Sequence, residues 1–364
     1  MKNLVNIKNV GNGIAALMVI SQLISCNKSV TEKPLVKNEE KAMSVSVEYL
    51  HEETIRKPIV FIAGVDQGNH QYYTNARDYF TEKQFGIIDN AFSLQEIIIW
   101  LNKNYDGNAY GEIHIVTLGN PWNGIELETT INSGKTTNET LENALTEGKL
   151  PQVENVISEK TKIIFHSYGL GENEDLMKTL SNVFHAEKTP NIIASPYYSI
   201  FGGNFSKHFL ATAYYAFYPT AKSPGKMDLS KEMARKYPAE KEINWFETLN
   251  NKEERYVGEA YTHQYNIPVN FELDFANSDQ EVPLLITKAD VLRFISQNEF
   301  LLKEISKMEI PLEKFRWSTH LKNNTLFIKG ITTVLCVLKP IIKPYGDLQH
   351  LEAEIDNKRF YATF

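Results

Sequence analysis

Four short apolar runs separated by helical patterns constrain this chain more than any other feature of it. They are "KPIVFIAG" (57–64), "GEIHIVTLG" (111–119), "TKIIF" (161–165) and "PNIIAS" (190–195). Their apolar residues are consecutive rather than alternating, the pattern of strands buried on both faces. Helical signals lie between them. Ser93 stands three residues before Glu96, a capping-box spacing, ahead of "LQEIIIWLNKNY". "TNETLENALTEG" closes at Gly148, a C-cap position. "ENEDLMKTLSNVF" sets Leu176, Leu180 and Val183 or Phe184 on one stripe, with Glu172, Glu174 and Asp175 in its first turn, where they favour the helix dipole. Strands alternating with helices predict an α/β domain over 57–225, with a mostly parallel sheet flanked by helices.

In such sheets the functional crevice lies beyond the C-terminal ends of the strands. Three polar, Gly-rich segments are expected to meet there: "AGVDQGN", "LGNPWNG" and "HSYGLG". Asn120, Trp122, His166, Ser167 and Tyr168 are the residues expected to line it. Ser167 is the candidate nucleophile, because it follows a buried strand and precedes a helix, the setting of a nucleophile elbow. The elbow form Gly-x-Ser-x-Gly is incomplete, since Phe165 replaces its first glycine, and the helix that follows starts acidic. A serine triad also needs a base and an acid. His320, His350 and Asp347 lie late in the chain with nothing but position to mark them. Ser and Gly after a strand are equally the ordinary chemistry of helix entry.

Residues 226–364 are expected to form a mixed α+β C-terminal extension, either a separate domain or further strands on the same sheet. "SKEMARKYPAEKEINWFETLNNKEE" alternates charges and predicts a solvated helical excursion. "IPVNFELDF" predicts a strand, "ADVLRFISQNEFLLKEISKM" an amphipathic helix, and "EKFRWSTH" and "NTLFIKGITTVLCVLKP" strands joined by the "KNNT" turn. The Tyr- and Phe-rich stretch 197–218 is expected as core or lid; an aromatic platform for sugars would instead expose several rings on one face. Cys336 lies inside an apolar run and is expected to be inert core. No Cys/His spacing fits a metal, and no cofactor is predicted. The net charge of −7 comes from interleaved acids and bases. With no basic stripe, nucleic acid is excluded as an expected partner.

At the N-terminus, Lys2 and Lys8 precede an apolar stretch from Ile14 to Ile24, too short to span a bilayer. It ends in Leu23-Ile24-Ser25-Cys26, which resembles the lipobox of bacterial lipoproteins. The resemblance implies a signal peptide over 1–25, cleavage before Cys26 and acylation of its thiol. The partner would then be a membrane, held through a lipid anchor at the bacterial cell envelope, on the outer membrane or the cell surface. An ordinary signal peptide or an uncleaved anchor is the alternative. Residues 26–56 are polar and charged, a flexible tether with an r.m.s. reach of about 30 Å.

"GEIHIVTLGNPWNGIEL", "TKIIFHSYGLGENEDLMKTL" and "NIIAS" together resemble the caspase-like superfamily, with its bacterial gingipain-like and CHAT-type peptidase domains. In that family one strand ends in Ser-His-Gly, the next in a Cys-containing turn before a helix, and a third near Ala-Ser. The histidine takes a proton and the cysteine attacks a peptide carbonyl. Here the histidine position falls on Leu118, and the cysteine position on Ser167 or Tyr168. His114 becomes a strand-interior group, and His166 projects away from Ser167. The resemblance implies a caspase-like fold without its dyad, one that binds a protein, peptide or glycan. The alternative is a serine-dependent hydrolase with Ser167 as nucleophile.

Overall fold

The computed structural model describes residues 56–64, 70–122, 124–185, 187–220, 224–275 and 281–364. The expected signal peptide, Cys26 and all of the tether but Arg56 lie outside the described residues. In chain order the first half holds β1 (Ile59–Ile62), α1 (Gln71–Glu82), β2 (Gly86–Ile88), α2 (Leu94–Lys103), β3 (Glu112–Val116), β4 (Gly119–Asn120), β5 (Gly124–Glu128), β6 (Lys135–Thr136), α3 (Asn138–Thr146), β7 (Lys162–His166), α4 (Glu174–Val183) and β8 (Asn191–Ala194). The second half holds β9 (Tyr198–Phe201), β10 (His208–Tyr218), α5 (Lys226–Lys236), α6 (Trp245–Thr248), β11 (Tyr261–Asp274), α7 (Lys288–Gln297), α8 (Glu299–Ser306), β12 (Arg316–Lys322), β13 (Thr325–Pro340) and β14 (Ala362–Thr363).

The four apolar runs form adjacent or near-adjacent strands of a six-stranded sheet, ordered β2-β1-β3-β7-β8-β14. All its pairings are parallel except that of β14 on β8. Each run is continuously apolar because the pleat sends alternate residues into different cores. Ile59, Phe61, Ile113, Ile115, Ile163 and Phe165 face α2 and α4, where Leu94, Ile97, Leu101, Leu176 and Leu180 meet them. Val60, Ile62 and Val116 face α1, against Tyr72, Tyr73, Ala76 and Phe80. The caps follow the sequence: the Ser93 hydroxyl accepts the Glu96 amide at 3.1 Å, and Gly148 takes the left-handed conformation, φ +62°, just past α3. β2 has no counterpart in the sequence reading. At three residues, none of them fully buried, it is too short to show a period.

The second sheet is antiparallel and five-stranded, ordered β11-β13-β10-β9. Its spine is β13, one strand of 16 residues. β11 pairs along its whole length, while β10 pairs from Thr333 to Pro340 and β12 from Thr325 to Ile331. The aromatic stretch becomes β9 and β10, with Tyr198, Phe209, Tyr214 and Tyr218 buried. This burial removes the exposed sugar platform. Cys336 is fully buried in β13, and burial pushes its thiol up to about 12. β11 is an edge strand. The Thr262 amide points outward, to the Asn251 carbonyl. Pro268 shares that alternation, at a position where a missing N–H costs no ladder bond and blunts edge pairing.

The extension is not a detached unit. β9 and β10 precede residue 225 yet share a sheet with β11–β13, and β14 returns to the first sheet. The charged 230–254 stretch does continue a helix and form another, but it is no free excursion: Met233, Trp245 and Leu249, with Leu229 just ahead of them, bury against Tyr214 and Val337.

Trp317 and Val269 close over Gly330, where a Cβ would lie 2.5 Å from the indole Cζ3 and 2.7 Å from the valine Cγ2. Gly330→Ala is expected to lower the urea midpoint, with a loss of about 1–3 kcal/mol from overpacking. Gly134→Ala, where nothing lies within 4 Å, is the neutral control.

Candidate functional site

Two of the three expected loops meet at the strand ends; the third, 65–69, lies outside the described residues. After β3 the chain turns at once into the β4–β5 hairpin, which brings Gly119 onto Ser167. A Cβ on Gly119 would stand 2.7 Å from the Ser167 Oγ and 2.9 Å from the Gly124 carbonyl oxygen. Only glycine permits so close an approach. Asn120, Pro121, Tyr168, Asn173 and Leu176 complete the enclosure, leaving about 10 Å³, room for at most one water. Ser167 is 1% exposed, and its Oγ has no hydrogen-bond partner.

Among the described residues no base stands beside that hydroxyl. His166 turns to the opposite face, where its Nε2 lies 2.9 Å from the His114 Nδ1 and the two rings stack. His320 stacks on Phe327, its centroid 4.5 Å away. His350 faces Glu254 at 2.8 Å and stacks on Phe209. Asp347 is exposed. Leu118 gives its amide to the Tyr73 hydroxyl at 3.0 Å and packs against α1.

The remaining expected residues go to different places. Asn120 borders the Ser167 enclosure, and its Oδ1 accepts the Trp122 amide. Trp122 leaves the strand ends and docks on the second sheet. Its indole N–H donates to the Met308 carbonyl at 2.9 Å, and its rings meet Tyr215 edge-on at 4.8 Å. Tyr168 stacks on Tyr198 at 4.4 Å and meets Tyr72 edge-on. The antiparallel sheet thus covers the edge where an open crevice was expected.

Beneath α1 lies an imidazole cluster. Glu112, half-buried at the start of β3, stands 3.5 Å from the His114 Nε2. That imidazole contact is the main reason its carboxyl stays below its usual range. His114 then meets His166, whose other nitrogen, Nδ1, has no partner. His208 lies edge-on to His166, shares a 2.9 Å hydrogen bond with the Ser199 hydroxyl and stacks on Phe201. Burial, reinforced by the neighbouring imidazoles, holds His166 well below its usual 6.5 and brings His208 to about 3.

The roomy space lies on the other side of Tyr168. A cavity of about 410 Å³ opens between the N-terminus of α1, the β9–β10 hairpin and the chain entering β11, within the size range of small-ligand sites. Tyr72, Tyr168, Phe201, Phe209 and Tyr261 supply aromatic wall, and His70, Asn204, His263 and Glu254 supply polar groups. Only Tyr168 among the expected residues reaches it. The others come from four separated segments with no shared motif; the aromatic density of 197–218 was the one sequence signal. Among the described residues no group of three or more His, Cys, Asp and Glu is placed to hold a metal ion.

Compared with known proteins, the chain matches no family model and no curated protein sequence.

Two expectations follow from the geometry. Neutral burial of His166 and His208 means that the unfolded chain binds more protons below pH 6.5. Stability is therefore complete above that pH and falls as the pH drops through 6.5 toward 5, by up to about 1.4 kcal/mol per unit for each histidine. Urea unfolding across this range measures it, and His208→Phe is expected to flatten the slope. Ser167→Ala removes a buried hydroxyl that has no partner, so it is expected to cost less than about 0.5 kcal/mol or to stabilise. Gly119→Ala is expected to cost about 1–3 kcal/mol, and less in the Ser167→Ala background, by a double-mutant cycle.

Proposed function

We propose that this protein is a bacterial lipoprotein, anchored at the cell envelope through Cys26, whose caspase-like domain binds a partner rather than cleaving one. The observation that carries the reading is the sealed Ser167 hydroxyl: 1% exposed, without a hydrogen-bond partner, and with the adjacent imidazole turned away to His114. An unassisted serine hydroxyl is a poor nucleophile, and a general base has to lie within hydrogen-bond reach of the proton it takes. The caspase-like assignment draws support from the order of the strands. The runs ending at Leu118-Gly119, at Ser167 and at Ala194-Ser195 are consecutive neighbours, β3, β7 and β8, in a parallel arrangement. At the position of the family's catalytic histidine stands Leu118, whose side chain accepts no proton. The open volume beside this edge is the 410 Å³ cavity at Tyr168, and it is the natural place for a peptide, protein segment or glycan to enter.

Two measurements test the reading. Metabolic labelling with an alkyne fatty acid is expected to tag the wild-type chain and not Cys26→Ala. A fluorophosphonate serine probe is expected to leave Ser167 unlabelled in the folded protein. Labelling that disappears in Ser167→Ala would return the chain to the hydrolases.

A further inference from the structure

We propose that the cavity between α1 and the β9–β10 hairpin is a cation site, taking a primary ammonium or guanidinium group such as the end of a lysine or arginine side chain. The proposal rests on the binding reading above and names the chemistry that the cavity selects.

Glu254 carries the first part of the case. It forms part of the cavity wall and is 4% exposed. Its Oε1 accepts the Gly258 amide and faces the His350 Nε2. Its Oε2 is buried and has no partner. A buried carboxylate oxygen without a donor is costly, and a charged N–H is the donor that offsets most of that cost. Glu253 lies on the exposed side of the same wall, and among the described lining residues Lys252 is the one Lys or Arg. An anionic ligand would meet the exposed Glu253 and the buried Glu254 in the same wall.

The walls make the second part. Tyr72, Tyr168, Phe201, Phe209 and Tyr261 bring their rings around one space, and ring faces attract cations through their quadrupole. Burial raises the Tyr72 and Tyr261 hydroxyls above their ordinary range, so these two wall residues stay neutral phenols rather than phenolates. The Tyr72 hydroxyl is already engaged as a donor to the His166 carbonyl at 3.0 Å. Asn75 gives its amide to the Phe201 carbonyl and Asn204 gives its own to the Glu254 carbonyl. With these donors spent on the protein, the Glu254 Oε2 is left without one.

The test is calorimetric titration of the full chain with three peptides: acetyl-Gly-Lys-Gly-amide, its arginine counterpart, and the lysine peptide acetylated on Nζ. Both charged peptides are expected to bind saturably, and acetylation to weaken binding about tenfold. Glu253→Gln, on the exposed rim, is expected to weaken the charged peptides about threefold, and Glu254→Gln by about tenfold or more. Because Glu254 also holds Gly258 and His350, the rim variant and the acetylated peptide keep the test independent of its folding. n-Butylammonium separates the two sources of the cation: binding equal to the lysine peptide's marks a free amine, and weaker binding marks a peptide side chain. Equal affinity for the acetylated peptide, or no binding of any charged probe, overturns the cation site. A neutral peptide or oligosaccharide that still binds in that event leaves the binding reading standing, whereas labelling of Ser167 by the serine probe removes the reading itself.

Discussion

The stack of Tyr168 on Tyr198, with centroids 4.4 Å apart, joins the two sheets and fixes what each can do. Tyr168 stands two residues past the end of β7, and Tyr198 begins β9. A bridge pairs them, and the Gly169 amide reaches the Tyr197 carbonyl. The antiparallel sheet is thereby brought over the C-terminal edge of the parallel one. Trp122 pins the same contact from the other loop, its indole N–H held by the Met308 carbonyl. The region where a parallel sheet commonly presents its ligand crevice is interior here. Its hydroxyl is sealed, and the open volume is displaced past Tyr168 toward α1.

Helix α1 is held to that edge by polar bonds as well as by packing. The Tyr72 hydroxyl donates to the His166 carbonyl, and the Tyr73 hydroxyl accepts the Leu118 amide, so one helical turn grips the ends of both β7 and β3. Beneath it the imidazoles of His114, His166 and His208 sit among Phe80, Phe85 and Phe201. Burial in this aromatic interior favours the neutral form of the His166 and His208 rings. Phe201 belongs both to that cluster and to the cavity wall, so the protonation of the interior and the shape of the cavity share a residue.

Much of the parallel sheet was legible in the sequence because its signal is local. A strand buried on both faces must be apolar at every position, and a helix start must supply a cap, so Ile163 to Phe165 and Ser93 announce themselves. β2 and β14 were invisible for the converse reason: three half-exposed residues and a two-residue edge strand carry no periodicity. The aromatic residues of 197–218 were recognisable as core, but their strand character depends on β13, more than a hundred residues away, and no local pattern records that partner.

The candidate site divides in the same way. Sequence alone determined that Leu118 offers no base and that His166 and Ser167 point apart, because the residue types and the pleat's period of two settle both. It also determined the apolar strands and the place of Cys336 within one of them. Only the tertiary structure decided that Gly119 would close on Ser167, that Trp122 would leave the strand ends for the second sheet, and that Glu254, Tyr261, Phe209 and Tyr72 would surround one space. Those outcomes depend on contacts between segments far apart in the chain, and their geometry is set by how two sheets meet rather than by any residue's own preference.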